Sequence, residues 1–132
     1  MSEEENSIEV SHIKPSGHTF VLKGWGSEEW IVNNSKYCGK ILRLKKDKKT
    51  SWHYHKIKDE VMYVHDGLVK IIYGKNEDIE GFGNCEVILN PGESFHIETG
   101  VIHQIIALED TDLFEFSTEH FDSDSYRIIK GD

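Results

Sequence analysis

The chain is poor in cysteine. Two occur in 132 residues, Cys38 and Cys85, far apart and in no CxxC pair. No disulfide framework is called for, and two reduced thiols in a reducing compartment are expected. Long apolar runs are missing as well. No stretch approaches the roughly 20 apolar residues that a membrane helix needs, so no membrane partner is expected. Residues Met1 to His12 are acidic and polar, where a secretory signal needs a basic start and an apolar core, so the expected location is cytoplasmic. Positive charge is in deficit: 15 Lys and Arg against 24 Asp and Glu give a formal charge of −9. Binding nucleic acid requires net positive surface, so nucleic acid is not an expected partner. The one basic run, Lys45-Lys46-Asp47-Lys48-Lys49, reads as a solvated turn between strands. There is no helical period longer than about ten residues, no internal repeat and no low-complexity linker.

The length fits one domain, with residues 1–10 as a disordered acidic tail (Glu3, Glu4, Glu5 and Glu9) and residues 11–132 as the folded unit. Apolar content is 37%, a low figure that 3 Trp, 5 Tyr and 6 Phe offset, because each aromatic buries a large area. Tyr37 to Leu44 reads as a strand with Lys40, Leu42 and Leu44 on one face and Ile41 and Arg43 on the other. Val61–Val64 and Leu68–Tyr73 flank His65-Asp66-Gly67, a tight-hairpin signal. Glu86–Leu89 ends at Asn90-Pro91-Gly92-Glu93, a type II turn signature. Ser94–Ile97, His103–Leu108 and Leu113–Ser117 continue the series. Short strands at even spacing predict an all-β sandwich or barrel.

Three of the eight histidines form a pattern that chemistry can use. His53 and His55 are two apart, so on a strand they share a face. Four residues later Glu60 can return a carboxylate to that face after a bend, and six residues separate it from Gly67. His103, after the turn Glu98-Thr99-Gly100, is the candidate for a ligand from a distant strand. Three nitrogens and one carboxylate oxygen suit a single divalent transition ion: zinc, manganese, iron, cobalt or nickel.

Asp47 to Gly67 resembles the first motif of the cupins, and Gly92 to His103 the second. Asp47 stands where the first motif usually opens on glycine, Glu98 where the second has proline, and Ala107 where it closes on asparagine. The resemblance implies a double-stranded β-helix, a jelly-roll barrel with the metal inside. Within the cupins the chain resembles the type II phosphomannose isomerase domain in three stretches. These are Trp25-Gly26-Ser27-Glu28-Glu29-Trp30; Tyr37 to Glu60, with Lys40, Ser51, Tyr54, His55 and Glu60 matching; and Phe116 to Asp132, which places Arg127 on that family's arginine. That family usually carries glutamine at the position of His53 and a basic residue near Lys58.

The reading that follows is a metal-dependent aldose–ketose isomerase acting on a sugar or sugar phosphate. The metal polarises a carbonyl, and a base moves a proton between neighbouring carbons through an enediol. Lys40, His96 and Glu29 are the candidate bases, and Arg127 is the candidate phosphate clamp, helped by Lys40 and Lys58 if they face the cavity mouth. Trp25, Trp30 and Trp52 are candidates for sugar stacking, with core packing expected for at least two. The alternatives are an Fe(II)-dependent dioxygenase using the same ligands, and a non-catalytic module that binds metal or sugar. A homodimer is expected, because small barrels expose long sheet edges, with His18–Lys23 as the bridging strand.

Overall fold

A computed structural model describes residues 15–74 and 85–132. The acidic tail expected over residues 1–10 lies outside the described residues. Among the described residues, eleven strands form two antiparallel sheets that face each other as a jelly-roll, double-stranded β-helix. The first sheet holds β1 (Thr19–Lys23), β2 (Gly26–Asn33), β3 (Cys38–Leu44), β10 (Thr111–Ser117), β5 (Glu60–Asp66) and β8 (Ser94–Ile97), in that spatial order. The second holds β11 (Tyr126–Ile129), β4 (Trp52–Tyr54), β9 (Ile102–Ala107), β6 (Val69–Gly74) and β7 (Cys85–Leu89). One turn of 3-10 helix, Asp122–Asp124, precedes β11.

The turn expected at Gly92 forms, but the tight hairpin expected at Gly67 does not. β5 pairs with β10 and β8 in one sheet and β6 with β9 and β7 in the other, so Gly67 turns the chain from one sheet to the other. Gly67 joins β5 to β6 at φ 108°, and a side chain there would run into Thr111 and the carbonyl of Asp110. Gly92 has φ 88°, and the Glu93 N–H donates to the Asn90 carbonyl at 3.0 Å, closing the expected turn. Asp47 adopts φ 68°, a left-handed conformation that aspartate tolerates better than most residues. This explains how an aspartate serves at a motif position that glycine usually fills. The lysines around it are exposed, as a solvated turn requires.

Period-two burial positions the site. In β3, Lys40, Leu42 and Leu44 point inward; in β5, Glu60, Met62 and Val64; in β9, His103, Ile105 and Ala107; in β10, Leu113 and Glu115. Each of these rows is ionisable or polar at one end of the barrel and apolar at the other. The apolar ends merge into one core, with Trp25, Val69, Ile71, Leu89 and Ile97. Burying those side chains supplies the main driving force, at roughly 1.5–3 kcal/mol for each large one. The opposite end is left to a cavity. Both cysteines are free, Cys38 buried and Cys85 exposed. Burial pushes the Cys38 thiol above its ordinary range. No helix among the described residues is long and apolar enough to cross a membrane. β1 lies at the edge of its sheet and exposes Phe20 and Leu22.

Candidate metal centre and its cavity

Between the sheets lies a cavity of ≈ 580 Å³ with His53, His55 and His103 along one wall. His53 and His103 face each other in register across β4 and β9, and His55 follows directly after β4. Their ring centroids are 4.4 to 5.8 Å apart, and one nitrogen from each ring lies within 4.8 Å of the others. Each ring is oriented by a backbone carbonyl. His53 Nδ1 donates to Ser51 O at 2.9 Å, His103 Nδ1 to Val101 O at 3.0 Å and His55 Nδ1 to Asp124 O at 3.0 Å. A carbonyl only accepts, so in each ring Nδ1 carries the proton and Nε2 keeps a free lone pair.

The electrostatics suit a cation. Burial, then the neighbouring imidazoles, lowers His53 well below its ordinary range. Burial likewise lowers His55 to about 4. Both rings are therefore neutral near pH 7, the form that binds metal. Glu60 is 2% exposed, with Oε2 3.3 Å from His55 Nε2 and Oε1 3.6 Å from His103 Nε2. Burial pushes its carboxyl upward, but the positive charge of Lys58, 3.4 Å away, outweighs that and holds it below the usual carboxylate range. Glu60 Oε2 and His103 Nε2 are buried without a hydrogen-bond partner. Orphaned atoms of this kind are costly in a stable fold. An ion among the three Nε2 atoms would satisfy them, so the donor set fits a divalent transition metal.

The rest of the cavity carries charge. Lys58 Nζ lies 3.0 Å from Glu115 Oε2, 3.4 Å from Glu60 Oε2 and 3.2 Å from His120 Nδ1. Burial lowers the Lys58 pKa, but the two carboxylates more than reverse that and raise it above the ordinary range. Lys40 is 3% exposed and sits 4.3 Å over the Trp30 ring, with Nζ 3.5 Å from Glu28 Oε1. Glu28 also accepts from Trp30 Nε1 at 2.9 Å. Burial pushes Glu28 up, yet Lys40 and that N–H together leave it below its ordinary range. Burial, then Lys40 and Lys58, lowers His120, whose Nε2 pairs with Asp122 at 2.9 Å.

Of the residues expected from sequence, the fold brings His53, His55, Glu60, His103, Lys40 and Arg127 to this cavity. Two of the candidate bases lie elsewhere. His96 is on the outer face of β8, paired with Asp59 at 2.9 Å, because Phe95 and Ile97 take the inward positions. Glu29 is on the outer face of β2, bonded to Arg43 at 2.9 Å and His18 at 2.6 Å, while its neighbour Glu28 points inward. Lys40 and Lys58 are buried in carboxylate pairs, so neither stands free at the mouth. Arg127 is exposed at the rim, in register with His53. Trp25 and Trp52 are packed residues, and Lys40 covers one face of Trp30.

Sequence reasoning missed Glu28, Glu115, His120 and Asp124. Ser27-Glu28-Glu29-Trp30 has no alternation to reveal which glutamate faces inward, and β2 carries an irregularity between Trp30 and Val32. In β10 both faces carry apolar residues, so parity does not single out Glu115. His120 and Asp124 lie outside regular strands.

Comparison with known proteins agrees with this geometry. No curated protein sequence matches the chain. Among solved structures, KdgF from Halomonas sp. superposes with a TM-score of 0.66 at 17% identity, covering 88% of this chain and 94% of that one. The capsular polysaccharide assembling protein CapF from Staphylococcus aureus gives 0.71 at 21% identity over 84% of this chain. Oxalate decarboxylase from Bacillus subtilis gives 0.71 at 18% identity over 87%. This chain spans only 32% of CapF and 31% of oxalate decarboxylase. At these identities the likeness is one of fold. Residues 40–117, more than half of the chain, match the family model described as Cupin domain. With the facing sheets and the convergent imidazoles, that match makes this chain a member of the cupin family.

Proposed function

We propose that the protein is a metal-dependent aldose–ketose isomerase acting on a sugar or sugar phosphate. The observation that carries the reading is one cavity in which three free imidazole Nε2 atoms share the space with an ionised, inward-facing carboxylate, Glu28. Its ≈ 580 Å³ suits a small polar molecule. His53, His55 and His103, with Glu60 as a fourth donor, would hold a divalent transition ion, which when bound polarises a carbonyl beside a hydroxyl-bearing carbon.

The chain's own groups supply the remainder. Isomerisation removes a proton from one carbon and returns it to the next. Glu28 takes that proton at a carboxylate oxygen and gives it back. Lys40, whose charge keeps Glu28 ionised, donates hydrogen bonds to substrate oxygens. Arg127, exposed at the rim, offers forked donors to a phosphate. CapF's description as a capsular polysaccharide assembling protein adds support for a carbohydrate. A homodimer joined along β1, where Phe20 and Leu22 are 66% and 88% exposed, belongs to the same proposal, and a monomer by light scattering at micromolar concentration would overturn that part.

The test is a panel of aldoses, ketoses and their phosphates assayed with the metal-loaded protein. Glu28→Gln should cut kcat/KM on the order of 10²- to 10⁴-fold with bound metal unchanged. Arg127→Ala should cost about tenfold to a hundredfold on a phosphorylated substrate and much less on the free sugar. Oxygen uptake with Fe(II) and no sugar turnover would replace this reading with the dioxygenase one. Sugar binding without turnover would replace it with the binding module.

A further inference from the structure

We infer that Asp124 is the positioning residue of the metal centre, holding His55 in the tautomer and orientation that leave Nε2 free for an ion. The inference rests on the metal-binding part of the reading above. Asp124 lies 69 positions from His55 in sequence and is 2% exposed. A buried carboxylate must find donors, and this one takes three consecutive main-chain amides. Lys56 N–H donates to Oδ1 at 2.9 Å, Ile57 N–H to Oδ1 at 3.1 Å and Oδ2 at 3.2 Å, and Lys58 N–H to Oδ2 at 2.9 Å. The carboxylate therefore grips the loop that directly follows His55. The carbonyl of the same residue accepts the His55 Nδ1 proton at 3.0 Å.

His55 differs in this from the other two rings. His53 and His103 donate to Ser51 and Val101, each two residues away. Their orientation is settled locally, by the residue just before each strand. His55 borrows its acceptor from the 3-10 turn before β11, and the Asp124 carboxylate is what seats that turn against the 56–58 loop. Without that seating, the His55 ring loses its acceptor and the Nδ1–H form loses its advantage. Acceptors behind metal-binding histidines typically matter 10–100-fold in metal affinity.

The test uses the full chain. Asp124→Asn keeps the size of the side chain but gives up one acceptor oxygen. Its Zn(II) dissociation constant should rise about 10- to 100-fold. Ser123→Ala, in the same turn and exposed, should leave that constant unchanged. A second readout needs neither metal nor activity. Imidazole ¹⁵N spectra of the metal-free wild type should show His55 as the Nδ1–H tautomer, and Asp124→Asn should mix in the Nε2–H form. An Nε2–H tautomer in the wild type would overturn the inference. So would a folded Asp124→Asn variant that binds Zn(II) within twofold of a wild type that also binds it, and in that case the metal reading would survive. A wild type that shows the Nδ1–H tautomer but takes up no Zn(II) would overturn the metal reading itself, and this inference with it.

Discussion

The two walls of the cavity are built in opposite ways. The wall from β4 and β9 presents imidazoles, with His53 and His55 held neutral by burial and all three rings fixed by backbone carbonyls. The wall from β2, β3, β5 and β10 presents Glu28, Lys40, Glu60 and Glu115, with Lys58 reaching in from the loop before β5. Neutral, pre-oriented nitrogens are what a metal ion needs, since they need not shed a proton or turn before binding. Paired charges buried together are poor stabilisers, because each pair must repay its desolvation. Their presence on the facing wall therefore adds little to stability, and it is the feature that the proposed proton chemistry would use. The difference leaves neutral imidazoles on one wall and buried charge pairs on the other, with Glu60 the charged group that reaches the imidazoles.

The largest break in that comparison is expected from Lys58→Met. It leaves Glu60 and Glu115 facing each other without a cation, and removing one partner of a buried ionic cluster costs roughly 3–5 kcal/mol. Urea unfolding of the metal-free protein measures it. A loss below about 1 kcal/mol would show that the charged wall is hydrated and loosely held.

Acid acts on the other wall. In the fold His53 and His55 bind protons below the ordinary histidine range, His55 at about 4 against 6.5. The unfolded chain therefore holds more protons between those values, and stability rises with pH across that window. For the metal-free protein, this contribution is complete above about pH 6.5 and is lost as pH falls toward 4. For His55 alone the loss is on the order of 3 kcal/mol. Denaturation midpoints at pH 7, 6, 5 and 4 follow it, and His55→Gln should flatten the curve.

The smallest effects sharpen the comparison by contrast. Glu29→Ala and His96→Ala sit on outer faces, in ion pairs that solvent screens. Each should leave metal content unchanged and turnover within about twofold. A hundredfold loss in either would mean that the inward and outward faces of β2 or β8 are reversed.

Much of this was legible in the sequence because burial follows a period of two. Lys40 with Leu42 and Leu44 announced a strand and grouped the residues of one face, and the HxH pair announced the imidazole wall. Gly67 and Gly92 placed the turns. Legibility failed where period two failed. Glu28 and Glu29 are adjacent, in a segment with no apolar alternation, and parity gave no reason to prefer either. Leu113-Phe114-Glu115-Phe116 is apolar on both faces, which concealed Glu115. Asp124 sits in an isolated turn, and its role depends on a contact across 69 positions that no local pattern encodes. The outer position of His96 is set by Ile97, which is buried and fixes the parity of β8.

The central claim is that nitrogens from β4, the segment after it and β9 converge on one ion. Elemental analysis of metal per chain, in wild type and in His103→Ala after equal loading with Zn(II) and removal of excess, tests it most directly. His103 is the ligand from the distant strand, so the variant keeps the HxH pair intact. The account predicts one equivalent in the wild type and less than about a tenth in His103→Ala, the loss expected when a site gives up one of its few protein ligands. A full equivalent in the variant, or none in the loaded wild type, would contradict it.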